Sequence, residues 1–72
     1  MFTAYREFYR YGRETDDVDM TIKYFDSADK AIAYICRYAK GIRFCHAWVE
    51  NESEKVIYEI CNGGADTYDY RH

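Results

Sequence analysis

The spacing of apolar positions changes along the chain, and each spacing predicts an element. Val18, Met20, Ile22 and Tyr24 alternate with Asp19, Thr21, Lys23 and Phe25, the period of a strand with one apolar face. From Ala28 the period lengthens. Ala28, Ile32, Ile35 and Ala39 fall at i, i+4, i+7 and i+11, with Cys36 at the edge of the stripe, which predicts an amphipathic helix. Ser27 is a good N-cap, Asp29 suits the positive end of the helix dipole, and Gly41 is the expected C′ residue after Arg37 and Lys40. Alternation then returns. Ile42, Phe44, His46 and Trp48 alternate with Arg43, Cys45, Ala47 and Val49, and Val56, Tyr58 and Ile60 with Ile57, Glu59 and Cys61. The polar stretch Asn51-Glu52-Ser53-Glu54 between these two runs reads as the turn of a hairpin.

The opening segment has two readings. Phe2, Tyr5 and Phe8/Tyr9 follow a helical period, whereas the Tyr, Phe and Thr content favours a strand. We take the strand, turned back by Gly12 and the acidic stretch Glu14–Asp17. The resulting expectation is one α+β domain over residues 1–72, a four-stranded antiparallel sheet in the order ββαββ with one helix on one face. The helix spans about 27–40, and the strands about 2–11, 17–25, 42–50 and 55–61. Asn62-Gly63-Gly64 opens a turn, and residues 63–72 read as a flexible, polar tail.

Composition changes this picture. Nine Tyr, four Phe and one Trp among 72 residues are more rings than one small core holds. One helix of small side chains covers one face of four strands, and no element is left for the other. Both faces of the 42–50 strand carry apolar groups, and Tyr5, Tyr9 and Tyr11 share one side of the first strand with Glu7 interrupting. An aromatic sheet face covered by a partner follows, since Tyr, Trp and Arg dominate interface hot spots. The expected contacts are Tyr5, Tyr9, Phe44, His46, Trp48 and Tyr58 as anchors, with Arg6 and Arg10 at the rim.

Charge and cysteine content narrow the class. The net charge is −3, which gives no bulk attraction to nucleic acid or an anionic membrane. Three cysteines, an odd number, and a charged, interrupted N-terminus without a targeting segment predict free thiols, a cytoplasmic setting and no membrane span. A chain near this size buries roughly 60% of its unfolded surface, so self-association, here a homodimer, is the expected source of added stability.

Sites of chemistry are weakly signalled. Cys45 and His46 are consecutive, and strand neighbours point to opposite faces, so they form no nucleophile–base pair; Cys36 or Cys61 would have to reach His46 across the fold. Zinc would draw on Cys36, Cys45, Cys61, His46 and His72, but none of their spacings is the short kind of structural zinc sites. No metal or cofactor is predicted. Gly63-Gly64 lacks the lysine and helix of a phosphate loop. Most carboxylates fall in two turns, Glu14, Asp16, Asp17 and Asp19 in one and Glu50, Glu52 and Glu54 in the other. If both turns lie at one end of the sheet they make an acidic patch. Glu59 stands apart in a strand, where an ion pair with an Arg or Lys on a neighbouring strand is expected. No catalytic role follows.

The segment Tyr5-Arg6-Glu7-Phe8-Tyr9-Arg10-Tyr11-Gly12-Arg13 interleaves rings and guanidinium groups, as single-stranded nucleic-acid binders do. On a strand, Arg6 and Arg10 fall opposite Tyr5, Tyr9 and Tyr11, which weakens that alternative. The tail Asp66-Thr67-Tyr68-Asp69-Tyr70 has the make-up of a recognition peptide.

The run Tyr24-Phe25-Asp26-Ser27, then a helix, then two short strands, resembles small proteins encoded by phages and mobile elements over residues 18–61. That resemblance implies a host-directed inhibitor, in the manner of anti-restriction or anti-CRISPR factors, that occludes a site on a host protein. It carries over no functional residue. The sequence therefore predicts a non-catalytic protein-binding module, with a nucleic-acid-binding module and a purely structural homodimer subunit as alternatives.

Overall fold

The computed structural model describes residues 1–11 and 17–71. Its elements are β1 (Phe2–Tyr9), β2 (Val18–Phe25), α1 (Ala28–Tyr38), β3 (Phe44–Glu50), β4 (Val56–Cys61) and β5 (Asp66–Asp69), with a 3-10 turn at Asn62–Gly64. The fold is α+β, and the strands form one sheet in the order β2-β1-β3-β4-β5. Every neighbouring pair is antiparallel. Helix α1 connects β2 to β3, which flank β1, so the chain crosses one face of the sheet and leaves the other without a covering element among the described residues. Gly12, Arg13, Glu14, Asp16 and His72, which entered the sequence reading, lie outside the described residues.

The helix caps follow the sequence signals. Ser27 is extended, and its hydroxyl accepts the Lys30 amide at 3.1 Å. Asp29 and Arg37 occupy the first and last turns. The helix closes on Ala39, whose amide reaches the Ile35 carbonyl at 2.7 Å. Gly41, expected at C′, lies one residue beyond that position, which Lys40 occupies, and at φ +111° turns the chain into β3. The Phe44 amide then bonds the Gly41 carbonyl at 3.1 Å, so Ile42 and Arg43 belong to this turn and not to the strand.

The core is Ala4, Ala31, Ile35, Ala39, Phe44, Ala47, Val49 and Ile60. Half of these are alanines, on α1, β1 and β3. Small side chains on both sides let helix and sheet approach closely, and the buried Phe44, Ile35 and Val49 fill the remaining volume. The buried helical stripe centres on Ala31, Ile35 and Ala39, with Ile32 at its flank and Cys36 exposed.

Two expectations are corrected. The sheet has five strands, not four, because residues 66–69 of the supposed tail pair with β4. Gly63 and Gly64, at φ +68° and +103°, turn the chain back at once, and β5 is polar because it is an edge strand. The strict alternation expected over 42–50 also breaks. Glu7 pairs with His46 but Phe8 pairs with Phe44, so Cys45 is an extra residue and β3 bulges there. The bulge puts Phe44 with Ala47 and Val49 under the helix, opposite His46 and Trp48.

Candidate functional site: the helix-free face of the sheet

The side of the sheet away from α1 is built from one set of alternate residues on each strand. Val18, Met20, Ile22 and Tyr24 of β2 lie beside Tyr9, Glu7, Tyr5 and Thr3 of β1 in register. His46 and Trp48 of β3 follow opposite Glu7 and Tyr5, then Glu59 of β4 opposite Trp48, then Tyr68 of β5 opposite Glu59. The apolar row of β2 is exposed along its whole length, from 38% at Val18 to 64% at Tyr24. Its alternate residues toward the helix side are Asp19, Thr21 and Lys23, and Lys23 sits 5.1 Å from the Tyr34 ring. The strand thus leaves its apolar side uncovered, while on its other side Phe25 packs against the core and Asp19, Thr21 and Lys23 stay exposed.

The centre of the face is aromatic. Tyr5 and Trp48 stack with centroids 4.9 Å apart, and the His46 ring lies 4.7 Å from Trp48. The indole N–H donates to Glu50 at 2.8 Å. Burial first and Glu50 second push the Tyr5 hydroxyl above its usual range.

Beside the stack runs a chain of polar groups. His46 Nε2 lies 2.6 Å from Glu59 Oε2, and His46 Nδ1 lies 3.5 Å from Glu7 Oε1. The other Glu59 oxygen accepts the Tyr70 hydroxyl at 2.7 Å. The Tyr70 and His46 hydrogen bonds hold the Glu59 carboxyl below the usual carboxylate range, against its partial burial. The same bond pushes Tyr70 up to about 12. Cys61 stands across β3 and β4 from His46, and its thiol is raised by burial and then by Glu59. Ligand atoms of His46, Glu59 and Cys61 lie within 4.8 Å of one another. All three line an open cleft of about 500 Å³ with Tyr9, Cys45 and Gly63. A larger groove of about 670 Å³ lies at the β3–β4 turn, between Phe2, Asn51, Val56 and Arg71, away from this cluster.

The expected contact residues divide between the two faces. Tyr5, Tyr9, His46 and Trp48 share the helix-free face. Phe44 is fully buried beneath α1, so it touches no partner. Tyr58, partly buried against the core, meets the Cys36 thiol of the helix at 3.7 Å. The guanidinium of Arg6 lies over the rings of Phe8, Tyr34 and Tyr38, and that of Tyr34 is closest at 4.9 Å. Arg10 is exposed and pairs with Asp19 at 2.5 Å, which lowers the Asp19 carboxyl. The bulge explains Phe44, and strand parity explains Arg6.

Comparison with protein-family models, curated proteins and solved structures finds no match. The site is therefore read from its own geometry. Among the described residues no helix is long and apolar enough to cross a membrane, and Cys36, Cys45 and Cys61 are free thiols. Asp17 and Asp19 stand at the Tyr9 end of β1. Glu52 stands at the other end, 2.6 Å from the N-terminal ammonium. The described acids of the two turns therefore form no common patch.

Sequence reasoning missed the exposed row of β2, the Glu59–His46–Cys61 group and the contribution of Tyr70. The alternation of β2 was visible, but only the strand order puts its apolar face on the uncovered side. Tyr70 gave no signal, because its role depends on β5.

Proposed function

We propose that this chain is a non-catalytic protein-binding module whose contact surface is the helix-free face, and that a second copy of the chain is its first occupant. The observation that carries the reading is the exposed row Val18, Met20, Ile22 and Tyr24, continuous in register with the Tyr5–Trp48 stack. An ordinary solvated sheet face carries charged or Thr-like residues at such positions. A contiguous apolar and aromatic patch with polar groups beside it has the make-up of an interaction surface. β2 is also an edge strand, so its unpaired backbone adds a second means of pairing with another chain.

The nucleic-acid alternative fits this face less well. Its carboxylates, Glu7, Glu50 and Glu59, stand among the rings, while Arg6 is engaged on the helix side and Arg10 with Asp19. Base stacking beside phosphate contacts needs rings and cations on one surface. The resemblance to small phage proteins supplies a class for any further partner, a host protein whose site the chain occludes.

Light scattering after size exclusion, on the reduced protein over a range of concentrations, tests the reading. A mass near twice that of the monomer is expected, and the Met20→Lys/Ile22→Lys variant should be monomeric with an unchanged far-ultraviolet circular dichroism spectrum. Both substituted residues are about half exposed, so the fold does not depend on them. A wild-type monomer at every concentration removes the self-association claim. A dimer unaffected by the double substitution removes the surface.

A further inference from the structure

The cleft beside the aromatic stack brings together three groups with the donor chemistry of a transition-metal site. We infer that His46 Nε2, a Glu59 carboxylate oxygen and the Cys61 thiolate form a binding site for a zinc-like divalent ion, with a fourth position open to the cleft. Their ligand atoms lie within 4.8 Å of one another, on neighbouring strands of a rigid sheet. Nitrogen, sulfur and oxygen ligands in one set suit Zn²⁺ and Co²⁺ and disfavour Mg²⁺ and Ca²⁺, which take oxygen alone. One thiolate and one carboxylate neutralise the charge of the ion, as a half-buried site requires.

A second observation points the same way. His46 Nδ1 lies 3.5 Å from Glu7, and the Glu59 oxygen turned away from His46 accepts the Tyr70 hydroxyl at 2.7 Å. Outer partners of this kind hold a ligating histidine and carboxylate in place at zinc centres. Nε2 and Oε2, only 2.6 Å apart, need a proton between them, and the ion takes that proton's place. On binding, the Cys61 thiol proton passes to solvent, the imidazole proton moves from Nε2 to Nδ1, where it faces Glu7, and no electron is transferred. The short-spacing motifs of structural zinc sites are absent because the ligands come from adjacent strands, where pairing and not sequence distance sets proximity.

Cobalt(II) is the probe. In the Cys36→Ser/Cys45→Ser variant Cys61 is the only thiol, so a thiolate-to-cobalt absorption band reports it alone. The expected result is that band, saturating at a single equivalent and displaced by zinc, together with quenching of Trp48, whose ring lies 4.7 Å from His46. His46→Gln should abolish both signals. Glu7→Gln should keep the band and weaken affinity by about tenfold. No band from the folded double-serine variant, or binding undiminished by His46→Gln, overturns the site. The unmodified chain supplies a test independent of these variants. Zinc should slow alkylation of Cys61 selectively over Cys36, as read by peptide mass, and equal rates with and without zinc overturn the proposal.

Discussion

Glu59 Oε2 lies 2.6 Å from His46 Nε2, diagonally across the β3–β4 pair. That contact joins the aromatic half of the helix-free face to its polar half. On one side His46 stacks toward Trp48 and Tyr5, and on the other Glu59 receives Tyr70 from beyond β5. The face is therefore held by cross-strand contacts of its own, independent of the core beneath α1.

Acid should loosen this face through Glu59. Its folded carboxyl is held below its ordinary value near 4.5 by Tyr70 and then His46. A group depressed in the folded state contributes stability above its unfolded value, and that stability is lost as the pH falls through the folded value. The thermal midpoint of the wild-type chain should thus fall on acidification below about pH 4.5. Glu59→Gln should be less stable at neutral pH and show a shallower acid limb, measured by circular dichroism melts across the pH range. Parallel acid limbs for the two proteins would show that the Glu59 contacts contribute nothing.

Tyr70 titrates in the opposite sense. Its hydroxyl is raised from an ordinary 10.0 to about 12, because it donates to the Glu59 carboxylate. A raised group contributes stability in full below its unfolded value, and that part is lost as the pH climbs through the folded one. The phenolate absorbance of the folded chain should accordingly keep a late step near pH 12, and Tyr70→Phe should lower its amplitude by one tyrosine. Tyr5 and Tyr58 are raised as well, by burial first, so their share of the high-pH absorbance change remains in the variant. A late step of unchanged amplitude in Tyr70→Phe would refute the Tyr70–Glu59 bond.

What the sequence made legible follows from how local each signal is. Ser27, Asp29 and Arg37 mark the helix, because capping is settled within one turn. The strands β2 and β4 were visible from their period, since alternation is a property of consecutive residues. Strand order is not local. Without it, the apolar row of β2 had no assigned side of the sheet, and the Arg or Lys expected beside Glu59 proved to be His46. The bulge at Cys45 was hidden for the same reason: an extra residue exists only relative to Glu7 and Phe8 on the next strand. Of the proposed aromatic contacts, Tyr5, Tyr9, His46 and Trp48 fell on one face. Phe44 did not, because parity before the bulge is reversed.

The strand read as a tail provides the last test. β5 exists because the chain reverses within Asn62–Gly64 and pairs Asp66–Asp69 with Cys61–Tyr58. Gly64 has φ +103°, in the region that side chains rarely adopt, yet a methyl group there meets nothing nearer than the Ala39 carbonyl oxygen at 3.9 Å. The cost of Gly64→Ala is therefore backbone strain without a clash, about 1–2 kcal/mol. That strain falls on the β4–β5 turn, so its effect should be local. Amide hydrogen exchange should speed up at Tyr70, whose N–H bonds the Ile57 carbonyl at 2.9 Å, and stay slow at the buried Val49 and Ile60. Fast exchange at Tyr70 in the wild-type chain would mean that residues 66–69 do not hold as a strand. Tyr70 would then be released from Glu59, and the polar half of the helix-free face would lose its outer partner.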